Sequence, residues 1–328
     1  MGEFNIKTRV IGVDLGVDVT TLAIVDIRGN IIAHDVLLTS VYKDVNTYVS
    51  ALTEKIVMLA ESNGGYGTIR SVGISVPSGN YLTGCIENAA NLPWKGVIPL
   101  ATMLRDRLGL SVGLANDAYV TALGEHGFGY AHGMNDFIVV SLSHGGLGSC
   151  IFSNGQPHLG IDGFAGEVGH VCVEPGGRVC GCGRRGCLEQ YTSAKGIVQT
   201  ARELMANDKR SSILRQQAGM LSPKAIVAAC KQGDRLAIET MRLAGEKLGM
   251  GLAFYASVLD PEAIILTGPQ SRLGKWLTDP LQEAFDENVF HNIRGKVLIQ
   301  ISILDDRERD VLGASELAWV VKEYSLFK

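Results

Sequence analysis

One local pattern occurs twice in this chain, and that echo narrows the fold more than any other feature. Residues 10–14 read as a short apolar strand, followed by a glycine-bearing loop, a second strand over 21–26 and a turn at Arg28, Gly29 and Asn30. The same order restarts at Phe137, with a strand over 137–142, a glycine-rich loop over 143–148, a strand over 149–152 and an Asn154-Gly155 hairpin signal. Repetition at this scale implies two related α/β halves facing a cleft. Between and after them, apolar residues at helical spacing (Val45, Tyr48, Val49, Leu52, Ile56, Leu59) predict a helix over 44–62. Further helices are expected over 99–108, from near Asp117, and over 194–206, 225–232, 236–256 and 312–321. Buried strands are expected over 71–76, 111–115, 263–267 and 297–304.

A chain of 328 residues has room for about two domains. The expected division is 1–124, completed by a C-terminal helix at about 311–328, and 125–310. An apolar fraction of 46% supports a substantial core. The net charge of -4 argues against a nucleic-acid partner, which calls for a basic patch. No apolar run is long enough to span a bilayer, and the first residues lack a secretory signal's apolar stretch. Nothing before Val10 suggests a DNA-binding module. A cytoplasmic protein with neither nucleic acid nor membrane as partner is the expectation. Cys85, Cys150, Cys172 and Cys230 sit among apolar residues and read as buried small hydrophobes.

The remaining three cysteines are different. His170 is followed, after nine intervening residues, by Cys180-Gly-Cys182-Gly-Arg-Arg-Gly-Cys187. One imidazole and three thiols in a glycine-rich stretch suit a tetrahedral Zn²⁺. Four protein ligands close the site, so the metal would be structural. The alternative, a reactive or disulfide-forming cluster, fits a reducing compartment less well.

Asn116 and Asp117 lie where a strand ends and a helix begins, the rim at which open α/β sheets bind ligands. Asp117 there is either an N-cap or a general base taking a proton from a hydroxyl. Glu167 and Glu189 bracket the Cys/His segment and are either polyol-binding acids or ordinary surface acids. Asn91, in Asn-Leu-Pro-Trp, is either a ligand contact or a turn residue before proline.

The string Asp-Gly-Phe-Ala-Gly-Glu-Val-Gly-His ending at His170, with Cys180 to Tyr191 after it, resembles the signature of the ROK family of bacterial sugar kinases and sugar-responsive repressors. The likeness runs nearly end to end, through Asp14-Leu15-Gly16, residues 88–94, Asn116-Asp117 and residues 261–266. Bacteroidete-type glucokinases are nearest in look. The resemblance implies an actin-like ATPase (ribonuclease H-like) fold, an α/β architecture of two domains around a central cleft, and a homodimer or homotetramer. It implies Asp117 as catalytic base. Gly79, Asn91, Asn116, Glu167, His170 and Glu189 would join it on the hexose side, with His170 offering one ring nitrogen to zinc and the other to the sugar. ATP, as Mg-ATP, would meet Asp14, Gly16, Thr20, His144, Gly145, Gly146 and Gly268.

Departures from the family pattern collect on the nucleotide side. The first phosphate loop has Val17 and Asp18 where kinases of the family carry glycine and threonine. Valine restricts the backbone, and a carboxylate about 4 Å from a phosphate oxygen costs about 1–4 kcal/mol. Thr20 or Thr21 is the candidate replacement hydroxyl. The second loop, 143–148, lacks the family's threonine, and Pro269 replaces a glycine after Gly268. Two functions of different class follow: an ATP-dependent hexose kinase, or a sugar-binding sensor that has lost phosphoryl transfer.

Overall fold

The computed structural model describes residues 7–143, 146–306 and 308–321. They fall into two compact units, one of residues 7–132, 160–163 and 303–321, the other of the described residues in 133–159 and 164–302. The first unit contains β1 (Arg9–Leu15), β2 (Val19–Asp26), β3 (Ile31–Leu38), α1 (Val45–Glu61), β4 (Ile69–Ser75), β5 (Gly79–Asn80), β6 (Cys85–Glu87), β7 (Val97–Ile98), α2 (Leu100–Leu108), β8 (Ser111–Ala115) and α3 (Asp117–Phe128). The second contains β9 (Phe137–Leu142), β10 (Leu147–Ser153), β11 (Gln156–Pro157), α4 (Glu189–Thr192), α5 (Ala194–Asn207), α6 (Ile213–Gln216), α7 (Pro223–Cys230), α8 (Arg235–Leu259), β12 (Ala263–Thr267), α9 (Lys275–Asn288) and β13 (Leu298–Ile301). The chain then returns to the first unit with α10 (Arg309–Val320).

The echo in the sequence is an echo in topology. The first main sheet runs β3-β2-β1-β4-β8 and the second β11-β10-β9-β12-β13. Each has three antiparallel strands followed by two added in parallel. The second hairpin closes through Asn154 (φ 54°) and Gly155 (φ 71°), the left-handed pair that a two-residue turn demands. Helix α1 starts where its sequence says, because the Asp44 carboxylate accepts from the Thr47 amide at 2.9 Å. It buries Tyr48, Val49, Leu52, Ile56 and Ala60 against β1, β2 and β4 side chains.

The opposite face of the first sheet is shaped by glycine. Gly12, Gly73 and Gly113 are register partners on β1, β4 and β8, so three neighbouring strands lack side chains along one row. Helix α10 lies in that row. A Cβ on Gly12 would run into the Val311 carbonyl, one on Gly73 into the Ala314 carbonyl, and one on Gly113 into the Val321 side chain. Val311, Leu312 and Ala318 then close a second core with Val10, Ala23 and Val25. Helix α10 also crosses α3 closely. Gly313 has no room for a Cβ beside the Val120 carbonyl, and one on Gly124 would sit 3.2 Å from the Arg309 carbonyl.

The expectation that four cysteines are buried needs correction at two of them. Cys172 is exposed and Cys85 is partly so, unlike buried Cys150 and Cys230. Helix α9, with Pro280 inside it, had no counterpart in the sequence reading. The closing helix begins at Arg309, and residues 322–328 of its expected span lie outside the described residues. Among the described residues no helix is long and apolar enough to cross a membrane.

Gly73→Ala should destabilise the protein by about 1–3 kcal/mol through overpacking against α10, read as a lowered Tm. Gly219→Ala, where nothing lies within 4 Å of the added carbon, should leave Tm nearly unchanged; equal effects would refute the helix-seat account.

Candidate functional site

In the first unit the chemistry gathers at the C-terminal ends of β1, β4 and β8. Strand β8 ends at Ala115, and Asn116 caps α3, its side chain accepting from the Tyr119 amide at 2.7 Å. The N-cap role therefore belongs to Asn116, and Asp117 stands in the first helical turn. Asp117 is open to solvent and accepts from the Ala118 amide at 2.9 Å. Its carboxyl is pushed above the usual range by the density of protein around it and by the charge of Asp310, partly offset by that amide and by Arg309. Gly79 packs so tightly that a Cβ would lie 2.7 Å from the Ala115 carbonyl, just before Asn116. Asn91 is exposed on a loop pinned by buried Leu92 and Trp94. Lys95, which the sequence reading passed over, stiffens that loop by donating to the carbonyls of Ala89, Ala90 and Leu92 at 3.4, 3.1 and 3.1 Å.

Asp14, on β1, is half-buried and pushed up to about 7, first by burial and then by Asp310 and Asp117. The Ser75 hydroxyl offsets a little of that, yet it is buried without a partner in full hydrogen-bond geometry. In the following loop the Gly16 amide donates to the Val19 carbonyl at 3.0 Å, and a Cβ on Gly16 would sit 2.7 Å from that same oxygen. Val17 packs inward on the core, so its side chain is turned away from the loop's outer surface. Asp18 is exposed, and its carbonyl accepts from the amides of Thr39 and Ser40 at 2.9 and 3.3 Å. Thr20 is corrected. Its hydroxyl is fully buried between Thr39 and Tyr48 at 2.8 and 2.7 Å, so it does not replace the missing loop threonine.

In the second unit, the Cys/His segment folds into a compact knuckle. The ligand atoms of His170, Cys180, Cys182 and Cys187 all lie within 4.8 Å of one another. Cys180 Sγ is 3.6 Å from His170 Nδ1, and Cys182 Sγ is 3.6 Å from Cys187 Sγ. A tetrahedral ion with ligands about 2.3 Å away requires edges of about 3.6–3.8 Å, so the donor set fits such a metal. Left to themselves the thiols disagree. The Arg184 amide and guanidinium draw exposed Cys182 down to about 6, while burial and the neighbouring thiols push Cys187 up to about 12. A cation would relieve that by binding the thiolates.

The knuckle is wired to a glycine loop. Gln190 Nε2 reaches Cys180 Sγ at 3.6 Å and Glu189 Oε1 at 3.2 Å, and Glu189 Oε2 accepts from the Leu147 amide at 3.1 Å. A Cβ on Gly146 would meet that carboxylate at 2.5 Å. Ser143 closes the loop onto Gly146 through its amide at 3.1 Å, while His144 and Gly145 lie outside the described residues. Glu167 is exposed just ahead of the short turn that carries half-buried His170. At the end of β12, Gly268 is left-handed (φ 81°), and a Cβ on it would lie 2.5 Å from the Leu142 carbonyl oxygen. Beside it Thr267 Oγ1 and Gln270 Oε1 are buried without partners. With Ser75 Oγ, these orphaned oxygens sit at or just beyond the C-terminal ends of parallel strands, where α/β sheets present groups to ligands.

Paired sheets of this topology define the actin-like ATPase fold. The chain belongs to the ROK family, whose model matches residues 10–321. It is 31% identical to a glucokinase of Thermotoga maritima over 95% of this chain and 97% of that one. It is 29% identical to a xylose repressor of Caldicellulosiruptor bescii, over 97% of this chain and 79% of the other. Among solved structures, a ROK family glucokinase from Streptomyces griseus in complex with glucose and AMPPNP superposes with a TM-score of 0.75 at 30% identity, covering 95% of this chain and 99% of that one.

A raised carboxylate favours the fold most when protonated. The contribution of Asp14 is thus complete below about pH 4 and is lost as pH climbs through about 7. Asp14→Asn should gain Tm relative to the parent between pH 5 and pH 8; a pH-independent difference would exclude the shift.

Proposed function

We propose that this protein is an ATP-dependent hexose kinase, glucokinase-like, that phosphorylates the sugar 6-hydroxyl with Asp117 as general base. The observation that carries the reading is the state of Asp117. It is freed from capping by Asn116, open to solvent, and held above the ordinary carboxylate range. A base of that kind takes a hydroxyl proton near neutral pH better than an ordinary aspartate does. The likeness to a glucokinase of the same family, 31% identical over 95% of this chain, supports the substrate class.

In this mechanism Asp117 accepts the proton as the 6-oxygen attacks the γ-phosphorus. The phosphorus–oxygen bond to ADP breaks, and ADP leaves with the bond pair. Little covalent work falls to the protein, so positioning and charge neutralisation supply most of the acceleration. Asn91, Asn116, the Gly79 backbone, Glu167, His170 and Glu189 are assigned to the sugar hydroxyls. Glu189 comes to this role already oriented by Leu147 and Gln190. The amides around Gly16, Gly146 and Gly268 and the carboxylate of Asp14 are assigned to the nucleotide, and Thr267 and Gln270 offer unspent oxygens.

His170, Cys180, Cys182 and Cys187 would hold a structural zinc. Bound there, the ion would cross-link the knuckle and stabilise thiolates. His170 turns Nδ1 toward the cluster, leaving Nε2 for the sugar.

A sensor that binds sugar without transferring phosphate is the second reading, favoured by the altered first loop and by the repressor among the relatives. Coupled ADP release against a panel of hexoses separates the two. Mg-ATP at about 100 times Kd should add about 2.7 kcal/mol of stability to a kinase. No shift with Mg-ATP beside a clear shift with glucose would establish the sensor.

Asp117→Asn should lower kcat about 10²- to 10⁴-fold while leaving hexose affinity nearly unchanged by calorimetry; wild-type turnover would remove Asp117 as base. Cys182→Ser should lose bound zinc by elemental analysis and lower Tm. Unaltered zinc content would reject the ligand set.

A further inference from the structure

The base does not stand alone on its helix. Thr121 lies four residues beyond Asp117 on α3, one turn further along the same face. It is 2% exposed, and its hydroxyl donates to Asp310 Oδ1 at 3.2 Å. Asp310 occupies the first turn of α10, where the glycine row seats that helix and the Gly124–Gly313 crossing presses it against α3. Arg309 also holds the Asp310 carboxylate, with Nε at 3.0 Å from Oδ1 and Nη2 at 3.3 Å from Oδ2. Asp310 is thus held by two groups that are themselves buried.

We propose that Asp310 is a positioning residue for phosphoryl transfer: hydrogen-bonded to Thr121, it braces the helix that carries Asp117 and sets a fixed negative charge near that base. This rests on the reading of Asp117 as general base.

The charges around the pair can be named. Asp117 faces Asp14 from β1 and both Asp310 and Arg309 from α10. Asp310 faces Arg309, Asp14 and Asp117. Arg309 opposes the effect, since a cation favours the ionised carboxylate. Its charge is shared, however, with Asp306, to which Nη1 donates at 2.7 Å, and with buried Glu125. The surplus is anionic, and Asp310 is the member of it tied by hydrogen bond to the helix of Asp117. An acidic residue in a helix's first turn also complements the helix dipole. That purely structural role would place no demand on the protonation of Asp117.

The test is the pH profile of kcat/KM for the intact protein, read beside Asp117→Asn. Asp310→Asn keeps the size of the side chain and an acceptor for Thr121 while deleting the charge. The acid limb of kcat/KM should move to lower pH, and plateau kcat should fall several-fold with the hexose KM unchanged. Thr121→Val deletes the brace and keeps the charge. It should lower kcat without moving the limb or the hexose KM, and it serves should Asp310→Asn fail to fold. An unmoved limb in a folded Asp310→Asn protein overturns the proposal, as does an unaltered kcat in Thr121→Val. If Asp117→Asn keeps wild-type turnover, the base assignment itself has failed and the proposal falls with it. If Asp117→Asn is inactive and the limb still does not move, only the role of Asp310 has failed.

Discussion

The seating of α10 in a row of glycines is the contact on which the first unit depends. Gly12, Gly73 and Gly113 bring the helix backbone against the sheet at a distance no side chain would permit. Close approach converts a sheet face into a groove, and the groove fixes both the rotation and the depth of the helix. Val311, Leu312 and Ala318 can then reach Val10, Ala23 and Val25, which would otherwise face water. The same depth delivers Arg309 and Asp310 to the ends of β1 and α3.

That delivery ties packing to chemistry. Three carboxylates, Asp14, Asp117 and Asp310, come near one guanidinium; Asp310 raises the cost of ionising Asp14 and Asp117, and Asp117 adds to it at Asp14. Such a cluster is tolerable because Arg309, Thr121 and the Ala118 amide satisfy specific oxygens. In the second unit the device is different. There a knuckle of thiols and imidazole, with Gln190 and Glu189, holds the edge of a glycine loop through side chains rather than through a helix seat.

Much of this was legible in the sequence. Strands β8, β9 and β12 and helix α1 announce themselves through apolar period and capping, and Asn154-Gly155 through left-handed backbone demand. The convergence of His170, Cys180, Cys182 and Cys187 was legible because their spacing is short and local. What escaped depends on distant partners. The hydroxyl of Thr20 is decided by Thr39 and Tyr48, which no reading of its own loop supplies. Asp310 gains meaning only from Thr121, far away in the chain. Helix α9 was hidden by Pro280 and by the lack of a side-chain cap, and β5 and β7 are two residues long, too short for any period. Cys172 looks apolar by its neighbours, yet its side chain is exposed where its backbone pairs with that of buried Cys187.

The return of α10 to the first unit sets an order for biosynthesis. On the ribosome β1, β4 and β8 emerge early, while the helix that fills their groove is translated only after the entire second unit. The earlier-made half therefore waits, its groove bare, and closes last, reversing the usual sequence in which N-terminal domains finish first. Contacts so far apart along the chain also slow the final step. During that interval the unfilled groove is the surface on which a nascent chain of this kind is most open to chaperones or to misassembly.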